Sequence, residues 1–217
     1  MSPPSPVLLA LRQSTAAAHR RIESVLPLSA LADRQRLRHV LAALAGFHEQ
    51  WEPAALRLLP AADAAWLHAR SRCAWLQQDL AALAAGQPPV ADQPGPPLQL
   101  VDAAAAWGSV YVMEGSTLGG QVIAHHLHDT LGLHADNGAR YYAGHGARTA
   151  ALWRDCLQRL DSALGDDPAA LQRACSAAAG VFEQLTQRLQ VALHQARLSS
   201  PPPSAPTAPH GSAHALA

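Results

Sequence analysis

The prolines of this chain divide stretches whose apolar residues recur at helical spacing. In the first stretch, Leu8, Leu11 and Ile22 lie on one helical face, and Pro27 ends the helix after about residue 26. Strand-favouring residues are sparse, and aromatic residues make up only 5% of the chain. The sequence therefore predicts an all-α bundle, with helices over residues 7–26, 32–51, 61–85, 98–131, 147–164 and 169–198 and loops over 87–97 and 132–146.

The chain reads as a single domain. Residues 1–6 are proline-rich and predicted to be extended, residues 7–198 form the helical domain, and residues 199–217 resemble a disordered tail rich in Pro, Ala and Ser. No stretch of 18 or more residues is apolar enough to span a membrane, and no signal peptide is evident. We therefore expect a cytoplasmic protein without a membrane partner.

Charge and cysteine content exclude several classes of protein. All 16 basic residues are arginine, and 16 acidic residues balance them, so the chain lacks the basic surface of a general nucleic-acid-binding protein. The three cysteines, Cys73, Cys156 and Cys175, are too far apart for a zinc knuckle and odd in number, which argues against a disulfide scaffold. We expect them to be small core residues in a reducing compartment.

A glycine cluster interrupts the longest predicted helix. Gly115, Gly119 and Gly120 each cost up to about 1 kcal/mol in a helix interior relative to alanine, which this chain uses freely elsewhere. Gly115 and Gly119 are four residues apart and therefore share a face. One interpretation is close helix packing or a break in the helix, and the other is that a flat ligand such as heme lies directly on the backbone.

Three polar residues of the first helix share one face. Arg12, His19 and Glu23 occupy positions i, i+7 and i+11. Such a histidine can ligate a metal through one ring nitrogen while the other donates to a carboxylate one turn away. The arginine is placed to bind an anionic group. The alternative is a partly buried histidine beside a surface glutamate.

Two motifs together resemble a known family. Leu11-Arg-x-Ser-Thr-x-x-x-His19-x-x-x-Glu23 resembles the proximal helix of heme oxygenases, and Tyr111-Val-Met-Glu-Gly-Ser-Thr-Leu-Gly-Gly-Gln-Val-Ile123 resembles their distal helix. The distal motif resembles that of the bacterial, bacteriophytochrome-associated branch of the family, and the similarity covers about residues 7–193. The resemblance implies a heme-oxygenase-like multi-helix bundle that holds heme between the proximal helix and a kinked distal helix.

The resemblance implies five heme-binding roles. His19 corresponds to the proximal iron ligand and Glu23 to the carboxylate that supports it. Arg12 and Arg154 correspond to cations beside the heme propionates. Phe182 falls in the last helix of the heme wall.

On the distal side, Gly115, Gly119 and Gly120 correspond to the glycines that lie over the heme, and Tyr111 belongs to the same heme-binding helix. Ser116 stands where mammalian members carry a catalytic aspartate, so the proton-delivery network cannot be transferred. Four polar side chains are candidates for that role, and the sequence does not choose among them: Tyr111, Glu114, Ser116 and Thr117.

The implied reaction is oxidative cleavage of heme to biliverdin, with the IXα isomer expected, and release of iron and carbon monoxide. Heme b would be both substrate and cofactor, with O2 as oxidant and an external electron donor such as ferredoxin or its reductase. A bacteriophytochrome is the expected acceptor of biliverdin. The alternatives are a heme-binding protein of the same fold that stores or senses heme, and a thiaminase-like hydrolase, which would need a cysteine nucleophile near carboxylates.

The remaining candidate residues are expected to have no site role. We interpret His48 and Glu49 as surface polar residues of the second helix, and the cluster of His125, His126 and His128 as solvated. The tryptophans are expected to be core residues rather than cofactor contacts: Trp66, Trp75, Trp107 and Trp153.

Overall fold

The computed structural model describes residues 3–84, 86, 89–90 and 95–199. Residues 1–2, Ala85, part of the proline-rich loop and the predicted tail from residue 200 lie outside the described residues. The described part forms helices and no strand, as follows: α1 (Pro6–Val25), α2 (Arg34–Leu58), α3 (Ala61–His68), α4 (Cys73–Ala84), α5 (Ala103–Leu131), α6 (Arg140–Ala143), α7 (Thr149–Leu164) and α8 (Pro168–Ser199), with short 3₁₀ turns at Leu28–Leu31 and Gly146–Arg148. The all-α prediction is confirmed.

Local sequence explains where α1 and α5 begin. The Ser5 hydroxyl caps α1 by accepting from the Leu8 backbone N–H, and Pro6 occupies the first helical position, where its missing N–H costs nothing. Asp102 caps α5 in the same way, accepting from the Ala105 N–H at 2.8 Å. The predicted start of α5 at residue 98 is therefore too early.

The predicted end of the second helix at residue 51 is wrong, because α2 continues through Pro53 to Leu58. Pro53 lies on the exposed face, whereas Trp51 and Ala55 on the opposite face are buried in the core. That burial holds the helix together across the one backbone hydrogen bond that proline cannot donate.

The predicted single helix over residues 61–85 is divided into α3 and α4. Arg70 and Arg72 lie in the break between them, and both are buried. Arg70 pairs with Glu114 at 3.0 Å, and Arg72 donates to the Met113 carbonyl of α5. These contacts join residues that are far apart in the chain, so helix propensity does not reflect them. They favour a turn between α3 and α4.

The loop predicted over residues 132–146 contains the short helix α6. Asp79 of α4 accepts hydrogen bonds from the Arg140 and Tyr141 backbone N–H groups, both at 2.8 Å. The carboxylate thus satisfies two donors that α6 is too short to pair internally.

The core is built around α8, which packs against α1, α2 and α5. One apolar cluster joins Leu11 of α1, Phe47 of α2 and Trp107 of α5 to the α8 face. A second cluster lies at the other end of α5 and joins Leu41, Leu127 and residues that follow α1. The long helix α5 therefore runs from one cluster to the other.

Helices α5 and α8 approach each other closely at Gly108 of α5. A Cβ atom there would lie 2.0 Å from the Ala174 carbonyl oxygen of α8. No side chain fits in that space, so this glycine permits the two backbones to touch.

Gly108→Ala is expected to lower the free energy of unfolding by more than about 2 kcal/mol, because the two helices must separate. Gly180→Ala is the matched control, since Gly180 is also helical but has open space around its Cβ position. It should raise stability by up to about 1 kcal/mol. Urea denaturation followed by circular dichroism measures both, and equal effects would contradict the packing role of Gly108.

Candidate functional site

The polar face of α1 contains the predicted proximal residues. His19 and Glu23 are one turn apart, and His19 Nδ1 lies 3.4 Å from Glu23 Oε1. The His19 side chain is 56% exposed, so its ring remains accessible to a ligand. Glu23 can thus hold the Nδ1 side of the ring and leave Nε2 free for a metal.

Phe182 of α8 supports the same imidazole. Its ring meets His19 edge-on, with ring centroids 5.5 Å apart, and it is itself buried. Beside this contact, Arg21 and Glu183 form an ion pair between the same two helices at 3.4 Å. The two helices therefore run alongside each other here, and the structure brings His19, Glu23 and Phe182 together as the resemblance implied.

Tyr111 connects α5 to α1 at one end of this face. Its hydroxyl lies near the side chain of Thr15, which itself donates to the Leu11 carbonyl at 2.7 Å. Burial raises the pKa of Tyr111, although the Thr15 hydroxyl and the nearby Arg12 guanidinium act in the opposite direction. The phenol is therefore protonated at neutral pH.

Beyond that contact, one face of α1 and one face of α5 continue along the two helices. Thr15, His19 and Glu23 follow each other at intervals of four on α1, and Tyr111, Gly115 and Gly119 do the same on α5. At the far end, Ile22 and Val25 of α1 and Ile123 of α5 belong to the second apolar cluster. We call the space between these faces the α1–α5 cleft, bounded by the Thr15–Tyr111 contact and by that cluster.

The glycines of α5 differ in what they face. A Cβ atom at Gly119 would meet nothing within 4 Å, and one at Gly115 would meet only the Trp153 ring, at 3.4 Å. At Gly120, in contrast, the Tyr142 backbone oxygen of α6 is 3.0 Å away. Gly119 therefore leaves open space, Gly115 admits the Trp153 ring, and Gly120 permits α6 to approach α5. The predicted role of Gly120 over a heme has no support in this arrangement.

Arg12 and Arg154 lie at the Tyr111 end of the cleft. Ser5 of α1 donates to Asp161 of α7 at 2.5 Å. Arg12 is seven residues after Ser5, and Arg154 is seven residues before Asp161. Seven residues make about two helical turns, so both arginines lie on the helix faces that carry this contact.

The Trp153 ring, beside Arg154 in sequence, lies 5.8 Å from the Tyr111 ring, and Tyr111 in turn is near Arg12. The two arginines are exposed, and within the described ranges neither forms an ion pair. They are therefore available to bind an anion at one edge of the cleft.

Two of the four candidates for proton delivery are engaged elsewhere. Glu114 is buried and paired with Arg70, and the Thr117 hydroxyl is buried and donates to the Glu114 carbonyl at 2.6 Å. Ser116 is exposed and donates to the Met113 carbonyl at 2.7 Å. Of the four, Tyr111 and Ser116 remain at or beside the cleft.

Sequence reasoning missed a buried polar group behind α5. His48, interpreted as a surface residue, is only 1% exposed, and its Nε2 lies 3.1 Å from the Tyr141 hydroxyl. The Ser116 side chain lies near the same phenol. The signal was present in the sequence, since His48 continues the stripe of Leu41 and Leu44 at helical spacing.

Burial and the charge of Arg72 lower the pKa of His48 well below its usual value, so the imidazole is neutral. Burial and a hydrogen bond to Glu52 raise the pKa of Cys73 to about 11. A protonated thiol is a poor nucleophile, which disfavours the thiaminase-like alternative.

The other minor expectations are confirmed in part. His125 and His128 are exposed, as predicted, and His126 is half-buried. Trp107 is a core residue, and Trp66 and Trp153 pack against the same cluster. Of the cysteines, Cys156 is buried, but Cys73 and Cys175 are only partly so.

Two surface cavities lie away from the cleft. The larger, of about 630 Å³, is lined by residues that include Asp63, Asp102 and Arg159. The smaller, of about 470 Å³, lies between the residues before α5 and α8. Neither includes a residue of the α1–α5 cleft.

Comparison with known proteins identifies the family of this chain. The family model described as heme oxygenase matches residues 5–190. The chain belongs to the heme oxygenase family. A solved structure of NO- and CO-bound heme oxygenase from Neisseria meningitidis is similar, with a TM-score of 0.67 and 24% identity over 85% of this chain and 90% of that chain. No curated protein matches.

The family assignment confirms the predicted all-α fold. At the level of the family, it also supports the prediction of an enzyme that acts on heme. In this family member, no helix within the described ranges is both long and apolar enough to cross a membrane.

Gly119→Leu tests whether the α1–α5 cleft binds heme. Because the position is open, the substitution should leave stability unchanged or raise it by about 1 kcal/mol. The new side chain would enter the cleft and should weaken heme affinity at least tenfold in a spectrophotometric titration. Gly180→Leu, at an equally open position of α8, is the control and should bind heme normally. Equal affinities in the two variants would rule out this cleft.

Proposed function

We propose that this protein is a heme oxygenase that cleaves heme b to biliverdin, with release of iron and carbon monoxide. The observation that carries the proposal is the α1–α5 cleft, with an accessible histidine, His19, on α1 and the open Cβ position of Gly119 on α5. O2 is the oxidant, and electrons come from an external donor such as ferredoxin or its reductase. The IXα isomer is the product we expect, and a bacteriophytochrome is its proposed acceptor.

The residues of the cleft fit heme. The open space at Gly119 accommodates a flat ring close to the helix backbone, and two exposed arginines at one end suit the two propionates. A neutral imidazole with one nitrogen held by a carboxylate is the usual axial ligand. When bound, heme supplies the iron at which O2 reacts and the carbon ring that is oxidised.

Each residue of the cleft has a separate task in this proposal. His19 Nε2 would bind the heme iron, while Glu23 and Phe182 hold the imidazole ring in its orientation. Gly115 and Gly119 would keep the α5 backbone close to the bound group. Arg12 and Arg154 set the rotation of heme and therefore which ring edge is oxidised.

Ser116 is the polar group that we assign to the distal side of the cleft. It adjoins Gly115 and is exposed, and the Tyr141 phenol, which contacts the neutral His48, lies near it. The Ser116 hydroxyl donates to the Met113 carbonyl at 2.7 Å, and its exposure lets it exchange its proton with water. We propose that Ser116 delivers protons there, in the place of the aspartate of mammalian members.

The decisive experiment is turnover of heme by the purified protein with O2 and a reductant. Loss of the Soret band with formation of biliverdin supports the proposal. Stable heme binding without ring opening would instead indicate the alternative, a protein that stores or senses heme. Chromatography of the product against isomer standards tests the IXα assignment.

His19→Ala should abolish the histidine-ligated heme spectrum and reduce turnover at least a hundredfold, because it removes the imidazole that we assign as the iron ligand. His125→Ala is the control, since His125 also pairs with a carboxylate four residues later, Asp129, at 3.3 Å on an exposed surface. That variant should resemble the wild type in the Soret region. An unchanged spectrum in His19→Ala would refute the axial assignment.

The double variant Arg12→Ala/Arg154→Ala should weaken heme affinity by at least about tenfold, since each charge-assisted hydrogen bond contributes about 1.5–3 kcal/mol. It should also broaden the mixture of biliverdin isomers, because heme can then rotate. Arg57→Ala/Arg197→Ala removes two exposed arginines outside the cleft and should change neither value. Identical affinity and isomer ratio in both double variants would disprove the propionate roles.

A further inference from the structure

A second group of ligand-type side chains lies behind α5, outside the heme cleft. His48 and Glu52 are four residues apart on α2, and Cys73 is the first residue of α4. One ring nitrogen of His48, the Sγ of Cys73 and a carboxylate oxygen of Glu52 all lie within 4.8 Å of one another. Nothing in the proposed heme reaction requires Glu52 or Cys73.

The environment of His48 points to a missing ligand. Its Nε2 contacts Tyr141, but Nδ1 is fully enclosed and has no hydrogen-bond partner in the described part of the chain. A buried polar atom without a partner costs about 1–3 kcal/mol. A cation bound by that nitrogen would remove the cost.

The distance between two of these ligand atoms is already close to that expected between two ligands of a tetrahedral metal ion. Cys73 Sγ lies 3.2 Å from Glu52 Oε2. Zinc–ligand bonds of about 2.0–2.3 Å place neighbouring ligands about 3.5 Å apart. The thiol proton now occupies the position between these two atoms, and a metal ion would replace it with release of that proton.

Neighbouring groups hold the carboxylate in place. The Ser71 hydroxyl donates to Glu52 Oε2 at 2.7 Å, and His68 Nδ1 lies 3.7 Å from Oε1. His68 is exposed, so the site opens to solvent on that side, where His68 or water can supply a fourth ligand.

We propose that His48, Glu52 and Cys73 form a binding site for zinc. Nitrogen, sulfur and oxygen donors together suit this borderline ion, whereas Mg²⁺ and Ca²⁺ use oxygen ligands. The thiolate and the carboxylate carry two negative charges, which match its charge. Through the His48 ring the ion would also fix the tautomer that faces Tyr141.

Cobalt titration of the heme-free full-length protein tests the site, since Co²⁺ takes the same ligands and reports a bound thiolate by a near-ultraviolet charge-transfer band. The expected result is a saturable band at one equivalent, with visible bands of four-coordinate geometry, both removed by Zn²⁺. Absence of the charge-transfer band would overturn the proposal. Because heme is absent, the result is independent of whether the protein degrades heme.

Variants assign the ligands. Cys73→Ser should abolish the charge-transfer band, whereas Cys175→Ser, at another half-buried cysteine, should retain it. Glu52→Gln should lower cobalt affinity by at least about tenfold while keeping the band. Circular dichroism establishes that each variant is folded. A band that persists in Cys73→Ser, or binding only by the exposed histidines of α5, would contradict the site.

Discussion

The contact between Gly108 of α5 and the Ala174 carbonyl of α8 is the constraint on which the rest of the structure depends. It brings two long helices so close together that no side chain fits between their backbones at this point. Since α1 packs against α8 as well, the contact also fixes the distance from α1 to α5. The cleft between α1 and α5 exists because both helices are held by a common third helix.

Buried polar groups hold α5 from the opposite side. Arg70 pairs with Glu114, and Arg72 donates to the Met113 carbonyl. Burying such charges is costly, and removing one partner of a buried pair is costlier still, typically about 3–5 kcal/mol. These contacts therefore fix the position of α5 against the α3–α4 turn, so that its glycines meet a defined space.

The accuracy of the sequence-based prediction varied with the range of the interactions. The α1 face of Arg12, His19 and Glu23 was predicted well, because helical periodicity places residues four apart on one side whatever the surroundings. The path of α2 through Pro53 was not predicted, because the burial of Trp51 outweighs the local tendency of proline to end a helix. The division of α3 from α4 was missed for the same reason, since its cause is a contact with α5.

The sequence by itself determined most of the helices, their apolar faces and the residues that resemble a heme site, since these follow from periodicity and capping within a few residues. The tertiary structure decided what each face meets. Gly108, Gly119 and Gly120 are the same residue type in one helix, yet one touches α8, one faces open space and one touches α6. The difference arises because the distance from a backbone to its neighbour is set by packing between residues far apart in the chain, and no local pattern encodes that distance.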